Sequence, residues 1–252
     1  MPLLAPFFCV FLLLFGTGAA AKVHIVYQTP ETVEERDIQK QILRTGNVQA
    51  IRNVINDNIR LPNDLTIIFG MDDGPLYSSD DNEIWIPYGF IDEVEQRFTR
   101  ANYTHDTHVS VEDATQDALM HTLFHEIAHA LVFMLDIPVL GKEEDAADGL
   151  AVVLLIHFFE NGRDIAISAA DLFDLESEDR EEFVAEDFWG EHSLDRQRFY
   201  STLCQVYGSA PEDYAYIVNE TGFSADRAEL CIEEYENLSH SWFTVLDAHL
   251  IP

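Results

Sequence analysis

The spacing of apolar residues along the chain predicts short strands near the start and helices through most of the rest. Three short segments rich in β-branched and aromatic residues predict strands; they span residues 23–27, 65–70 and 83–88. Between the first two strands, apolar residues recur every three or four positions and predict helical structure over residues 32–58. The stretch 71–82 is rich in turn residues, and Pro87 marks the third strand as ending there or lying at a sheet edge.

A long helix is predicted over residues 111–135, with Ser110 as its N-cap and Asp113 as the partner of that cap. Pro138 breaks this helix, and a second apolar helix is predicted over residues 142–159. A helix over 89–100 and a polar loop over 101–109 precede the long helix, and the remaining chain is mainly helical and acidic. The pattern therefore predicts an α+β fold with a small sheet and a helical C-terminal part.

The first 21 residues contain no charged side chain and combine an apolar run with small residues, including Ala19 and Ala21. This pattern predicts a signal peptide over residues 1–21, followed by a single mature domain over residues 22–252 and a secreted or periplasmic location. The apolar run is shorter than the roughly 20 residues that cross a membrane, so no membrane span is expected in the mature chain. Because no Lys or Arg precedes the run, an uncleaved N-terminal anchor is the alternative.

The charge balance is strongly negative, with 14 Lys and Arg against 46 Asp and Glu and a formal net charge of −32. Such a surface repels phosphate groups, so nucleic acid and anionic lipid are not expected as partners. Two explanations remain for the acidity, namely solubility and a preference for cationic peptide substrates. The oligomeric state does not follow from the sequence.

Two cysteines remain once Cys9 is removed with the leader, and they are Cys204 and Cys231. In an oxidising compartment this pair predicts one disulfide, and two separate buried thiols are the alternative.

The long helix contains the sequence His-Glu-Ile-Ala-His, in which His125 and His129 lie four residues apart. Residues four apart share one face of a helix, so both imidazoles can reach one metal ion while Glu126 lies beside a metal-bound water. Because the surrounding positions are apolar, these polar groups would be costly to bury unless they were paired or bound to metal. We therefore predict that His125 and His129 are metal ligands and that Glu126 is a general base.

The next helix supplies a candidate third ligand, because Glu144 and Asp148 lie four residues apart after the predicted chain reversal. We predict that Glu144 completes the metal site and that Asp148 accepts a hydrogen bond from a ligand imidazole, for which His125 is the first candidate. Glu143 and Asp145 are instead interpreted as acidic residues favoured by the helix N-terminus.

These motifs resemble the gluzincin zinc peptidases, in which His-Glu-x-x-His is followed by Glu-x-x-x-Asp on the next helix. Residues 125–148 and residues 191–200 are further similar to a bacterial family of exported metallopeptidases. The resemblance covers most of the mature chain and implies a zincin-like fold, a Zn²⁺ cofactor and a peptide or protein substrate.

The resemblance also implies a His or Tyr that stabilises the oxyanion, and His192 is the first candidate, with Tyr200, Tyr207 and Tyr214 as competitors. His121 lies one turn before His125 and is either a rival ligand or a buried neighbour of the site. The edge-like strand 84–86 is a candidate for aligning an extended peptide, or else a core strand.

The predicted function is hydrolysis of peptide bonds, in which a metal-activated water attacks the carbonyl and Glu126 carries the proton. Two alternatives use the same residues differently. In one, the protein is an exported module with a structural or inactive metal site; in the other, it is an acidic protein that binds no metal.

Overall fold

The structure, a computed structural model, describes residues 20–180 and 182–252, without the side chain of Glu186. Residues 1–19 of the predicted leader lie outside the described residues, so the signal peptide and the uncleaved anchor both stay predictions. No helix in residues 20–180 and 182–252 is long and apolar enough to cross a membrane.

Four strands form one sheet in the order β1-β2-β4-β3. They are β1 (Val23–Tyr27), β2 (Leu65–Phe69), β3 (Leu76–Ser78) and β4 (Glu83–Ile86). The first three strands of that order are mutually parallel, whereas β3 pairs antiparallel with β4 at one end of the sheet. Of the two interpretations of residues 84–86, the edge strand is wrong and the core strand is confirmed, because β4 is paired on both sides. The edge strands are β1 and β3, and β3 lies inside the predicted turn-rich stretch 71–82.

The described residues also form eleven α-helices and a short 3-10 helix at Asp247–His249. The α-helices are α1 (Val33–Thr45), α2 (Asn47–Asn58), α3 (Tyr88–Arg100), α4 (Tyr103–Thr107), α5 (Val111–Met134), α6 (Glu143–Phe158), α7 (Gly162–Ser177), α8 (Glu186–Trp189), α9 (Asp195–Ser209), α10 (Tyr216–Thr221) and α11 (Ala225–Leu246). The predicted helical stretch 32–58 is divided at Gly46, whose φ of 73° is a conformation that favours glycine and ends a helix. The short helix α4 lies in the predicted polar loop.

Helix α5 lies in the middle of the fold and is buried along most of its length. It begins as predicted, with the Ser110 hydroxyl accepting a hydrogen bond from the Asp113 amide at 3.0 Å. It packs against α3, α6 and α7, and most of its apolar residues join those of the sheet in the main core. The mixed α+β class with a helical C-terminal part is thus confirmed.

The helical C-terminal part is joined by a disulfide between Cys204 on α9 and Cys231 on α11. The predicted pairing is therefore confirmed, and the alternative of two free thiols is wrong. Helices α9 and α11 come very close beside this disulfide, and glycine at position 208 permits the approach. Any Cβ atom at Gly208 would lie 2.1 Å from the carbonyl oxygen of Cys231, which is a clash.

Three carboxyl groups are partly buried between the helices, and their shifted pKa values indicate that stability depends on pH. Burial raises the pKa of Asp117 and of Asp171 to about 6, and it raises that of Glu176 to about 7. In this range the folded chain binds protons that the unfolded chain has released, so the free energy of unfolding falls as the pH rises. For the metal-free protein we expect urea unfolding to give a value about 2 kcal/mol lower at pH 8 than at pH 5.

Glu176→Gln provides the control for this pH dependence, because glutamine resembles the protonated acid. The variant should show a smaller difference between pH 5 and pH 8 than the wild-type protein. A wild-type protein that is equally stable at both pH values, or more stable at pH 8, would contradict the prediction.

Candidate metal centre

The metal centre is built from one face of α5 and the first turn of α6. His125, Glu126 and His129 lie on α5, where His125 and Glu126 are each only 6% exposed. After α5 the chain reverses through residues 135–142, and Glu144 follows in the first turn of α6. This reversal brings a carboxylate opposite the two imidazoles.

The three predicted ligands converge on a small volume. The Glu144 Oε2 atom lies 3.1 Å from His125 Nε2 and 3.4 Å from His129 Nε2. The two Nε2 atoms are themselves 3.1 Å apart. One ligand atom from each residue lies within 4.8 Å of the other two, so this set could hold a metal ion. Two imidazoles and one carboxylate match the donor set of three-ligand catalytic zinc sites.

Each of the two imidazoles contacts a carboxylate through its other nitrogen. His125 Nδ1 lies 2.8 Å from Asp148 Oδ1, and His129 Nδ1 lies 2.8 Å from Glu143 Oε1. Such contacts fix the proton on Nδ1 and leave the Nε2 lone pair for a metal. We interpreted Glu143 only as a helix-start residue, so its contact with His129 was missed.

The carboxylates and imidazoles of the centre shift one another's pKa. Burial alone would lower the pKa of His125, but the hydrogen bonds with Asp148 and Glu144 outweigh it and raise the value to about 9. Burial alone would raise the pKa of Glu144, but contacts with His125, His129 and His192 hold it well below its ordinary value. The Glu144 carboxylate therefore stays ionised, which is the form that binds metal.

Glu126 lies apart from these hydrogen bonds. Burial raises the pKa of its carboxyl group above the ordinary value, even though His125 and His129 act in the opposite direction. A general base works best when its pKa approaches the working pH, so this environment suits proton transfer.

A model of a protein family described as "Putative metallopeptidase" matches residues 27–246. The chain belongs to this family. The match confirms the resemblance to a metallopeptidase family and supports metal-dependent peptide hydrolysis as the general function. No curated protein and no solved structure showed significant similarity to the chain.

In this family member the metal centre opens into a cleft of about 390 Å³. One wall is the β3 segment, and the other walls come from α5, α6 and the loop that carries His192. The lining residues are Pro75, Leu76, Tyr77, Ser79, His125, Glu126, His129, Phe133, Glu143, Glu144 and His192. The strand beside the cleft is thus β3, rather than the predicted segment 84–86, because β3 is an outer strand of the sheet.

The loop at residues 190–193 is attached to the start of α6. Lys142 Nζ donates hydrogen bonds to the carbonyl oxygens of Gly190 and His192, both at 3.1 Å. The Ser193 hydroxyl donates to Asp145 Oδ2 at 3.0 Å. These contacts hold His192 over the centre, where its Nε2 lies 2.8 Å from Glu144 Oε2.

If His192 has the oxyanion role that the sequence predicts, Lys142→Met is expected to lower the kcat for peptide cleavage about tenfold, because the loop would no longer hold His192 over the centre. Bound metal should be unchanged, since Lys142 contacts no predicted ligand side chain. Lys142→Arg should keep most of the activity, and Lys40→Met on α1 is the control for loss of one lysine. A full kcat in Lys142→Met would contradict the positioning role.

Arg198 on α9 is the main residue that sequence reasoning missed. Its guanidinium group donates to both carboxylate oxygens of Asp148, at 2.7 and 2.9 Å, and its Cζ atom lies 3.9 Å from the centre of the Phe173 ring. Burial alone would raise the pKa of Asp148, but the ion pair with Arg198 outweighs burial and holds the pKa well below its ordinary value. The sequence contained one indication of such a partner. Asp148 lies on an apolar helix, and a buried carboxylate requires a cationic group beside it.

The other candidates lie outside the cluster. His121 is buried, and its ring centre lies 5.5 Å from that of Phe173. Burial lowers the pKa of His121 to about 4. Tyr214 donates to Asp164 at 2.8 Å, and Tyr200 packs against Phe199 and Phe223. Tyr207 packs against the core, and none of the three tyrosines lines the cleft.

Proposed function

We propose that the protein is an exported, gluzincin-type zinc peptidase that hydrolyses peptide bonds in polypeptide substrates. The observation that carries this proposal is the convergence of His125, His129 and Glu144 beside Glu126 in an open cleft. Zinc suits this donor set, which combines two imidazoles with one carboxylate. Export rests on the leader pattern in the sequence and is consistent with the disulfide.

The proposed chemistry assigns a role to each residue of the centre. His125, His129 and Glu144 would hold the metal, which supplies Lewis acidity and a water of lowered pKa when it is bound. Glu126 accepts a proton from the attacking water and returns it to the leaving amine. His192 donates a hydrogen bond to the oxyanion that forms at the attacked carbonyl.

Support for a catalytic rather than a structural site comes from the protein groups around the metal ligands. A structural zinc site is closed by four protein ligands, whereas among the residues that the structure describes three candidate ligands converge beside a cleft. A structural site also has no use for a buried carboxylate such as Glu126, which lies in the cleft beside both imidazoles.

The test is to measure the metal content of purified protein and its cleavage of a mixed peptide library. We expect about one zinc per chain and peptide products that disappear after chelation and return with zinc. Metal without cleavage would favour the exported binding module, and absence of metal would favour the metal-free acidic protein.

A further inference from the structure

We propose that the cleft selects polypeptides that carry Lys or Arg beside the scissile bond. This inference rests on the proposed peptidase function and adds a substrate class to it. It depends on how charged and apolar side chains are distributed around the metal centre.

Carboxylates line the cleft on the α5 and α6 side, and aspartates flank its β3 wall in the sequence. Glu143 lines it from α6, and Glu191 lies on the exposed loop beside His192. Across the cleft, the β3 wall is preceded by Asp72 and Asp73 and followed by Asp80 and Asp81. These four aspartates are exposed, and within the described chain none of them forms an ion pair.

Cations are scarce in the same region. No Lys or Arg occurs between Arg60 and Arg97, the stretch that contains the whole β3 wall. In the described part of the chain, no Lys or Arg lines the cleft. The nearby Lys142 already donates to two carbonyl oxygens of the 190–193 loop. A divalent metal would offset Glu126 and Glu144 but not the flanking carboxylates, so the cleft would still attract positive charge.

Apolar side chains line the same cleft. Phe133 is 59% exposed and lies one helical turn after His129, and its ring centre lies 6.1 Å from that of Tyr77 on β3. Leu76 lines the same wall. Lys and Arg place an aliphatic stem on apolar surface while the charged end reaches polar groups, so they match an apolar strip bordered by carboxylates. A peptide with glutamate at these positions would meet like charge instead.

The experiment uses three quenched peptides that share one neutral scaffold and carry Lys, Gln or Glu on both sides of the same bond. At about 20 mM salt we expect kcat/KM to be at least about tenfold higher for the lysine peptide than for the glutamate peptide. In about 0.5 M salt the ratio should shrink several-fold, because salt screens exposed charges. Labelled peptides should show the same order of affinity for Glu126→Gln in fluorescence anisotropy.

Matched variants separate the cleft from the general acidity of the protein. The cleft variant combines Asp72→Asn, Asp73→Asn, Asp80→Asn and Asp81→Asn. The control variant removes the same charge from exposed positions of α11, by Asp226→Asn, Glu229→Gln, Glu233→Gln and Glu236→Gln. We expect the lysine-to-glutamate ratio to fall several-fold in the first variant and to stay at the wild-type value in the second.

The outcomes distinguish this inference from the proposed function. Equal turnover of the three peptides, or an equal loss of preference in both variants, would overturn the substrate class and leave the peptidase assignment intact. Absence of cleavage in a zinc-loaded protein would count against the peptidase, and the anisotropy measurements would still decide whether the cleft prefers cationic peptides.

Discussion

Replacing Glu126 by glutamine is expected to lower the kcat for peptide cleavage by about a thousandfold or more, within the range of general acid–base contributions. Glutamine keeps the shape of the side chain but cannot accept the proton of the attacking water. Glu126 makes no hydrogen bond with His125, His129 or Glu144 in the structure, so the metal should remain bound. The measurements are kcat with a peptide substrate and metal content by mass spectrometry.

The control for this variant is Glu112→Gln, because Glu112 is the other glutamate on α5 and pairs with Arg44 away from the cleft. It should keep both activity and metal. If Glu126→Gln kept metal and full activity, Glu126 would not be the base. If it lost both, the residue would act in assembling the centre rather than in proton transfer.

Asp148→Asn is expected to weaken both the metal centre and the fold. The asparagine side chain contacts His125 less strongly, and loss of such a partner typically weakens metal binding about tenfold to hundredfold. It also leaves the buried guanidinium of Arg198 without a counter-charge, for which we expect a loss of roughly 3 kcal/mol in the free energy of unfolding. Competition with a zinc chelator and urea unfolding measure the two effects.

A second variant separates these two roles of Asp148. Asp148→Asn combined with Arg198→Met removes the unpaired charge, so it should recover much of the stability while metal binding stays weak. Asp57→Asn on the exposed side of α2 is the control and should change neither quantity. Unchanged metal affinity in Asp148→Asn would exclude the proposed action through His125.

The sequence predicted the α5 part of the centre because helix geometry alone relates its residues. His125 and His129 are four apart on one helix, so their proximity needs no knowledge of the rest of the fold. Glu144 required only one further step, because a proline-containing reversal returns the next helix beside the first. The disulfide was predictable because only two cysteines remain after the leader.

Contacts set by long-range packing were not predictable in the same way. Arg198 reaches Asp148 across 50 residues, and only the packing of α9 against α6 and α7 brings them together. Strand β3 has three residues, which is too short for alternation to be seen against the surrounding turns. Its antiparallel pairing places β4 inside the sheet, and the error about the edge strand followed from missing it.

The outer position of β3 has a consequence for how the protein behaves at high concentration. A strand with a free side offers backbone groups on which a second chain can assemble into aggregates. Here that strand is three residues long, and pairs of aspartates stand before and after it. Two copies meeting through this strand would bring eight like charges together, and this repulsion disfavours self-association through β3.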